Sequence, residues 1–212
     1  PLLRDDFPEI YRHAKRNGFL VTVFTNGTMI TDEILQLFRE YPPVVVEISL
    51  YGATAATYES ITRVPGSYER CMRGINDLLR NGTKLNLKTV LMTLNNHEFH
   101  DIEKVAKDIG VKFRFDAAIS PCMNGSDGPL SLRISPEEAV EKEMAAPQEL
   151  ERWGKFYDAF KGCTLGEALY GCNSGVTAFH LDPFGRLMPC MMTVDIGFDI
   201  SEASFMAGWQ AI

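Results

Sequence analysis

The chain has 212 residues, 45% of them hydrophobic and 23% charged, which suits a globular polypeptide with length for one or two domains of about 100–200 residues. Its formal net charge of −7 argues against nucleic acid or an anionic membrane surface as the main partner, although acidity leaves room for a local basic pocket. No apolar run reaches the ~18 residues of a membrane-spanning helix and no signal-peptide pattern appears, so the expected location is cytoplasmic, with neither nucleic acid nor membrane as partner.

Five cysteines, Cys71, Cys122, Cys163, Cys172 and Cys190, are too sparse and odd in number for a disulfide framework and read as free thiols or metal ligands. The chain opens at Pro1-Leu2-Leu3-Arg4 without an initiator Met and stops at Trp209-Gln210-Ala211-Ile212, inside a helical pattern. A piece of a longer protein is expected.

Residues 5–17 read as a helix capped by Asp5 or Asp6, with Ile10, Tyr11 and Ala14 as its apolar stripe and Gly18 as its stop. Leu20 to Phe24 reads as a strand that lands on Thr25-Asn26-Gly27-Thr28. Thr31 caps a helix to Glu40 with Ile34, Leu35 and Phe38 inward. Val44 to Leu50 is the second strand; helices follow over Thr54 to Ile61 and Ser67 to Asn81. Leu85 to Thr93 is the third strand, Glu98 to Ile109 a helix, and Val111 to Ile119 the fourth strand. Strands and helices alternating at this spacing imply parallel strands joined by right-handed crossovers, with the chemistry in the loops that follow the strands.

Strand parity sharpens this reading. Val44, Val46, Ile48 and Leu50 share one face of the second strand, and Glu47, Ser49 and Tyr51 the other. Asn86 and Lys88 on the third strand and Lys112, Arg114 and Asp116 on the fourth repeat the polar face. A closed barrel fills its interior with branched apolar side chains, so a polar face points to an open, incomplete barrel with a polar lumen. The other reading is that these charges pair among themselves.

After Ile119 the chain becomes rich in Gly, Pro and polar residues, over Pro121 to Pro129. Ser135-Pro136-Glu137-Glu138 is a capping box, and a helix from about Gln148 to Phe160 carries an aromatic stripe expected to pack inward. Thr177 to Leu181 and Arg186 to Met188 read as a hairpin around Asp182-Pro183-Phe184-Gly185. It draws Cys172 and Cys190 toward one end.

These segments resemble the radical SAM superfamily, and within it the enzymes with a SPASM or twitch-type extension for auxiliary iron–sulfur clusters. Pro1 to Arg4 looks like the end of that family's GGEPLLR segment, Thr25-Asn26-Gly27 its TNG motif, and Ile48 to Gly52 its ISLYG motif. Arg63 to Tyr68 looks like its R-G-x-x-G-S-F segment, and Cys172 to Cys190, with Gly185 between, the C-x(9–15)-G-x4-C opening of the extension.

The resemblance implies an α/β fold, a partial (β/α)6 barrel lacking its first strand, over residues 1–130. Linker helices and the first part of a small α+β cysteine-containing extension with a β-hairpin would occupy residues 131–212. It implies S-adenosylmethionine (SAM) and [4Fe–4S] clusters as cofactors, and reductive cleavage of SAM to a 5′-deoxyadenosyl radical that abstracts a substrate hydrogen. A peptide or protein substrate and an electron donor such as flavodoxin or ferredoxin are implied as partners. Ser49 would meet the ribose or amino-acid part of SAM, Arg63 its carboxylate, Thr25 and Asn26 its amino-acid end, and Asn95 and the Phe115 edge its adenine, with Tyr51 also among the cofactor-binding residues. Cys172, Cys190 and Cys163 would ligate an auxiliary cluster. The C-x3-C-x2-C motif of the catalytic cluster does not occur among the five cysteines. Two rival readings follow: a cluster-less binding or scaffold module, and a metal-independent barrel enzyme using Lys88, Glu47 or Asp116 as acid or base.

Overall fold

The computed structural model describes residues 1–145, 147–162, 172–193, 195–201 and 203–212. The chain divides into two units, Pro1–Ser120 with Asp127–Glu141, and Pro121–Ser126 with Lys142–Ile212. The expected boundary after residue 130 falls inside a 3-10 turn, Gly128–Leu132, that belongs to the first unit. There Thr93 N donates to Leu132 O at 2.9 Å, and Ile134 packs with Leu91 and Phe99.

The first unit begins with α1 (Phe7–Arg16) and continues β1 (Thr22–Thr25), α2 (Asp32–Glu40), β2 (Val45–Ser49), α3 (Ala55–Thr62), α4 (Ser67–Arg80), β3 (Leu85–Val90), α5 (Phe99–Asp108) and β4 (Lys112–Asp116). The four strands form one parallel sheet in the order β1-β2-β3-β4, the order that successive right-handed crossovers deliver. Val46 stands against Leu85 and Ile48 against Leu87 in the register, and all four are buried with Leu37, Phe38, Ile75, Leu78 and Ile102 of the helices. This apolar face is the side that the sequence parity assigns to the core.

The polar face is partly self-paired. Arg114 on β4 reaches across β3 to Glu47 on β2, Nη2 to Oε2 at 2.6 Å, and the Lys88 ammonium lies 4.4 Å from the centroid of the Phe24 ring. Internal contacts thus engage Glu47, Arg114 and Lys88, while Asp116 bonds its own backbone at Ala118 N.

Several element ends differ from the sequence reading for local reasons. In α1, Ile10 is half exposed while Pro8 and Tyr11 turn inward; Tyr11 packs on Phe38 and donates to Tyr41 O at 2.8 Å. Asp6 is the N-cap, yet its side chain makes no cap hydrogen bond and is engaged with Arg4. Leu20 lies outside β1 and is exposed. β3 ends at Val90 because Met92 O accepts from the amides of Asn95 and Asn96 and turns the chain. β4 ends where the Asp116 carboxylate accepts from Ala118 N at 2.8 Å.

The second unit holds α7 (Pro147–Phe160), an antiparallel sheet of β5 (His180–Leu181), β6 (Arg186–Met188) and β7 (Phe198–Asp199), and α8 (Phe205–Ala211); α6 (Pro136–Met144) runs across the division between the units. The hairpin turn is the expected one: Asp182 Oδ1 accepts from Phe184 N and Arg186 N, and Gly185 takes a φ of +90°. β7 was not anticipated, being too short for a period-2 signal. The α7 aromatics differ from expectation, since Trp153 meets Phe156 edge-on and Phe156 meets Phe160 at a tilt, yet all three remain exposed. Among the described residues no helix is long and apolar enough to cross a membrane.

Candidate functional site

A cleft of about 770 Å³ opens in the first unit, walled by the ends of β1 and β2, by α3, by the start of α4 and by Pro1 to Leu3. The loops after parallel strands create it, as in other sheets of this build. Four residues singled out in the sequence line it: Thr25, Asn26, Ser49 and Tyr51.

The turn after β1 is set by its own side chains. Thr25 Oγ1 accepts from Gly27 N at 3.2 Å, Asn26 Oδ1 accepts from Thr28 N at 3.1 Å, and Gly27 sits at φ +74°. Helix α4 presses on this turn through Gly74, where a Cβ would overlap the Gly27 carbonyl oxygen. The turn and the helix therefore share one contact that only glycine permits.

Three other expected ligands lie elsewhere. Asn95 is fully buried and its amide is spent on the backbone: it donates to Tyr51 O (3.0 Å), Val90 O (3.1 Å) and Thr89 Oγ1 (3.3 Å), and accepts from Met92 N (2.8 Å). Phe115 packs edge-on against Phe99 with centroids 4.9 Å apart, on the helix-facing side of β4. Arg63 is exposed, ends α3 in a left-handed conformation and stands outside the cleft lining.

The arginine that does line the cleft is Arg70, with Tyr58, Thr62 and Ser67 beside it; sequence reasoning missed all four. The available signal was helical spacing, since Arg70 lies one turn beyond Ser67 on the same face of α4. Among the described residues Arg70 makes one long hydrogen bond, Nη2 to Pro65 O at 3.4 Å. Tyr58 is wholly buried, with its hydroxyl beside the Cys71 thiol. Burial above all, then the neighbouring Cys71 thiol, pushes the phenol pKa far up, against the pull of the Arg70 charge. It stays protonated and can donate. Burial also pushes the Cys71 thiol up to about 11, which makes it an inert core group.

Among the described residues no group of three or more His, Cys, Asp or Glu side chains could hold a metal ion. Cys163 lies outside the described residues. The Cys172 thiol is exposed and held below its ordinary pKa by hydrogen bonds from the Ser174 side chain and backbone. Cys190 Sγ accepts from Met192 N at 3.5 Å. Cys122 belongs with these two in the second unit.

Comparison with known proteins accords with this geometry. The Radical SAM superfamily model matches residues 1–109. The AdoMet-dependent heme synthase of Methanosarcina barkeri is 32% identical over 99% of this chain and 66% of its own length. The mycofactocin maturase MftC of Mycobacterium tuberculosis is 26% identical over 99% of this chain and 56% of its own. Among solved structures, Streptococcus suis SuiB bound to S-adenosylmethionine superposes with a TM-score of 0.67 at 12% identity, covering 97% of this chain and 51% of that one. The chain thus spans between about half and two thirds of these relatives. With a matching family model over half its length and an open parallel sheet carrying the matched motifs, the chain belongs to the radical SAM superfamily.

Proposed function

We propose that the cleft is the SAM site of a radical SAM enzyme of the SPASM type, and that this chain supplies the site's polar wall. The observation that carries the reading is the cleft itself, which gathers Thr25 and Asn26 after β1, Ser49 at the end of β2 and Arg70 on α4 around one open space. The polar groups suit a zwitterion with a ribose: a guanidinium for a carboxylate, and hydroxyls and an amide for the amino group and ribose. When bound and reduced by one electron, SAM supplies the species that abstracts hydrogen. This chain's part is to bind and orient: Arg70 holds the anionic end, Thr25 and Asn26 the amino-acid end, and Ser49 and Tyr51 the wall after β2.

The described cysteines do not by themselves make a complete cluster site. Cys172 and Cys190, each with its sulfur engaged by a nearby backbone amide or hydroxyl, together with Cys163, are proposed as ligands of an auxiliary [4Fe–4S] cluster. A flavodoxin or ferredoxin is the proposed electron donor and the cytoplasm the proposed location. For the substrate, a peptide or protein is the first reading, supported by the maturase relative over nearly the whole chain. A tetrapyrrole is the second, favoured by the higher identity to a heme synthase over the same span.

Calorimetry of SAM binding to the full-length protein tests the site. Arg70→Gln is expected to weaken affinity by about tenfold or more, the scale of a hydrogen bond to a charged group; unchanged affinity would remove Arg70 from the site. Release of 5′-deoxyadenosine under anaerobic reduction, stimulated by peptide or by iron porphyrin, separates the two substrate readings. Equal iron content after reconstitution of Cys172→Ala and parent protein would retire the auxiliary-cluster assignment.

A further inference from the structure

One buried carboxylate takes no part in the cleft lining or in the paired polar face. Glu98 ends the 3-10 turn Asn96–Glu98 after β3 and is 8% exposed. Its oxygens accept four hydrogen bonds, all from the start of α3. Oε2 accepts from Ala53 N (2.7 Å) and Thr54 N (3.2 Å), and Oε1 from the hydroxyls of Thr54 (2.6 Å) and Thr57 (2.7 Å). The first amides of a helix have no partner within it and form its positive end. The helix's own cap, Thr54 Oγ1, satisfies only Thr57 N, at 3.3 Å.

The neighbouring chain is held the same way. Asn95 donates to Tyr51 O at 3.0 Å, and from α4 the Tyr68 hydroxyl donates to Ala53 O at 2.6 Å. The run from Tyr51 to Thr57 is therefore gripped by three side chains from two other segments. That run joins Ser49 and Tyr51 to Tyr58 and Thr62, so it connects the strand side of the cleft to its helical side.

We infer that Glu98 is a positioning residue for the cleft, a latch that ties the start of α3 to the loop after β3 and thereby sets the spacing between Ser49–Tyr51 and Tyr58–Thr62. The inference rests on the reading of this cleft as the SAM site. A carboxylate suits the task because it offers two oxygens that each take two donors. Glutamine can replace it: its oxygen takes the two backbone amides and its amide hydrogens go to the two threonine hydroxyls, which then accept. Alanine can supply neither.

The test compares Glu98→Gln, Glu98→Ala, Thr57→Val and Leu37→Val in the full-length protein. Leu37→Val trims a fully buried side chain of α2 and serves as a control for lost stability. Each variant is read by its melting temperature, by calorimetry with SAM, and by hydrogen exchange of residues 51–58 without ligand. Glu98→Ala is expected to weaken SAM binding by about tenfold or more, the scale of removing a supporting hydrogen-bond partner from a ligand site, and to speed exchange in 51–58. Glu98→Gln should stay within about threefold of the parent, and Leu37→Val should lose melting temperature without losing affinity. The latch is overturned if Glu98→Ala binds SAM as tightly as the parent, or if Leu37→Val loses affinity equally for the same loss of melting temperature. Should Glu98→Ala fail to fold, Thr57→Val, which deletes one donor, decides: faster exchange in 51–58 sustains the latch and unchanged exchange overturns it. Should the parent not bind SAM, the cleft reading falls, and the exchange comparison of Glu98→Ala with Glu98→Gln still decides the latch.

Discussion

Arg63 adopts a φ of +56°, the one non-glycine residue with positive φ among those described. It closes α3, its amide donating to Glu59 O at 2.8 Å. A side chain in this region carries roughly 1–3 kcal/mol of strain, and such outliers gather where a ligand is clamped. Arg63→Gly relieves the strain but loosens the unfolded chain by up to about 1 kcal/mol. The net expectation is a gain of about 0–2 kcal/mol in urea unfolding. If the same variant loses SAM affinity, Arg63 reaches the ligand in spite of lying outside the cleft lining; if it gains stability at no loss of affinity, it serves only as the end of a helix. Glu98 gives a second prediction at this scale. Burial alone would raise its carboxyl pKa, but the bonds from Thr54, Thr57 and Ala53 outweigh it and hold it below the ordinary value of 4.5. A lowered folded pKa means stability that is present in full above the unfolded value and lost as pH falls through the folded one. Acid unfolding should therefore show a drop below about pH 4.5 in the parent that is shallower in Glu98→Gln. Parallel acid-unfolding curves for the two proteins would contradict this.

At the scale of elements, α4 and the turn after β1 meet at Gly74 and Gly27. Replacing a mid-helix glycine with alanine ordinarily gains about 1 kcal/mol. Here the added Cβ would collide with the Gly27 carbonyl, a backbone atom that cannot swing aside, and overpacking typically costs about 1–3 kcal/mol. Gly74→Ala should thus destabilise rather than stabilise, and should also weaken SAM binding by displacing Thr25 and Asn26; a raised melting temperature would contradict the contact. The strands and helices of this unit were legible in the sequence because each carries its own period: Val46, Ile48 and Leu50 against Glu47, Ser49 and Tyr51 on β2, and Ile34 and Phe38 on α2. The contacts between loops were not. Glu98 and Thr54 stand 44 residues apart, and no periodic pattern links them. Asn95 was legible as a polar residue after a strand, but the same chemistry that suits it to a ligand suits it to bonding Tyr51 and Met92 backbone atoms, and only the fold decides between them. Arg63 and Arg70 flank one turn, and which of them faces the cleft depends on the left-handed step at Arg63, which sequence pattern does not announce.

At the scale of the whole chain, the two units have unequal means of holding themselves together. The first buries sixteen residues in its main cluster, from Tyr11 to Ala106. Among the described residues of the second, Leu187, Met188 and Gly208 are the buried ones, and they bring β6 and α8 together, a Cβ at Gly208 meeting Leu187 and Phe198. Small units with so little core are usually completed by disulfides, metals or a partner, and the thiols of Cys122, Cys172 and Cys190 are all free and sit in this unit. Metal binding to a site that does not preform is folding free energy. Hydrogen exchange of the iron-free full-length protein should therefore show β2 and β3 as the slowest segments and residues 172–212 as exchanging much faster. Reconstitution with iron and sulfide should slow exchange in 172–212 while leaving β2 and β3 unchanged, and Cys172→Ala should abolish the slowing. If 172–212 exchanges as slowly as β2 and β3 before any iron is added, the second unit is stable on its own packing, and the auxiliary cluster is not needed to explain how it folds.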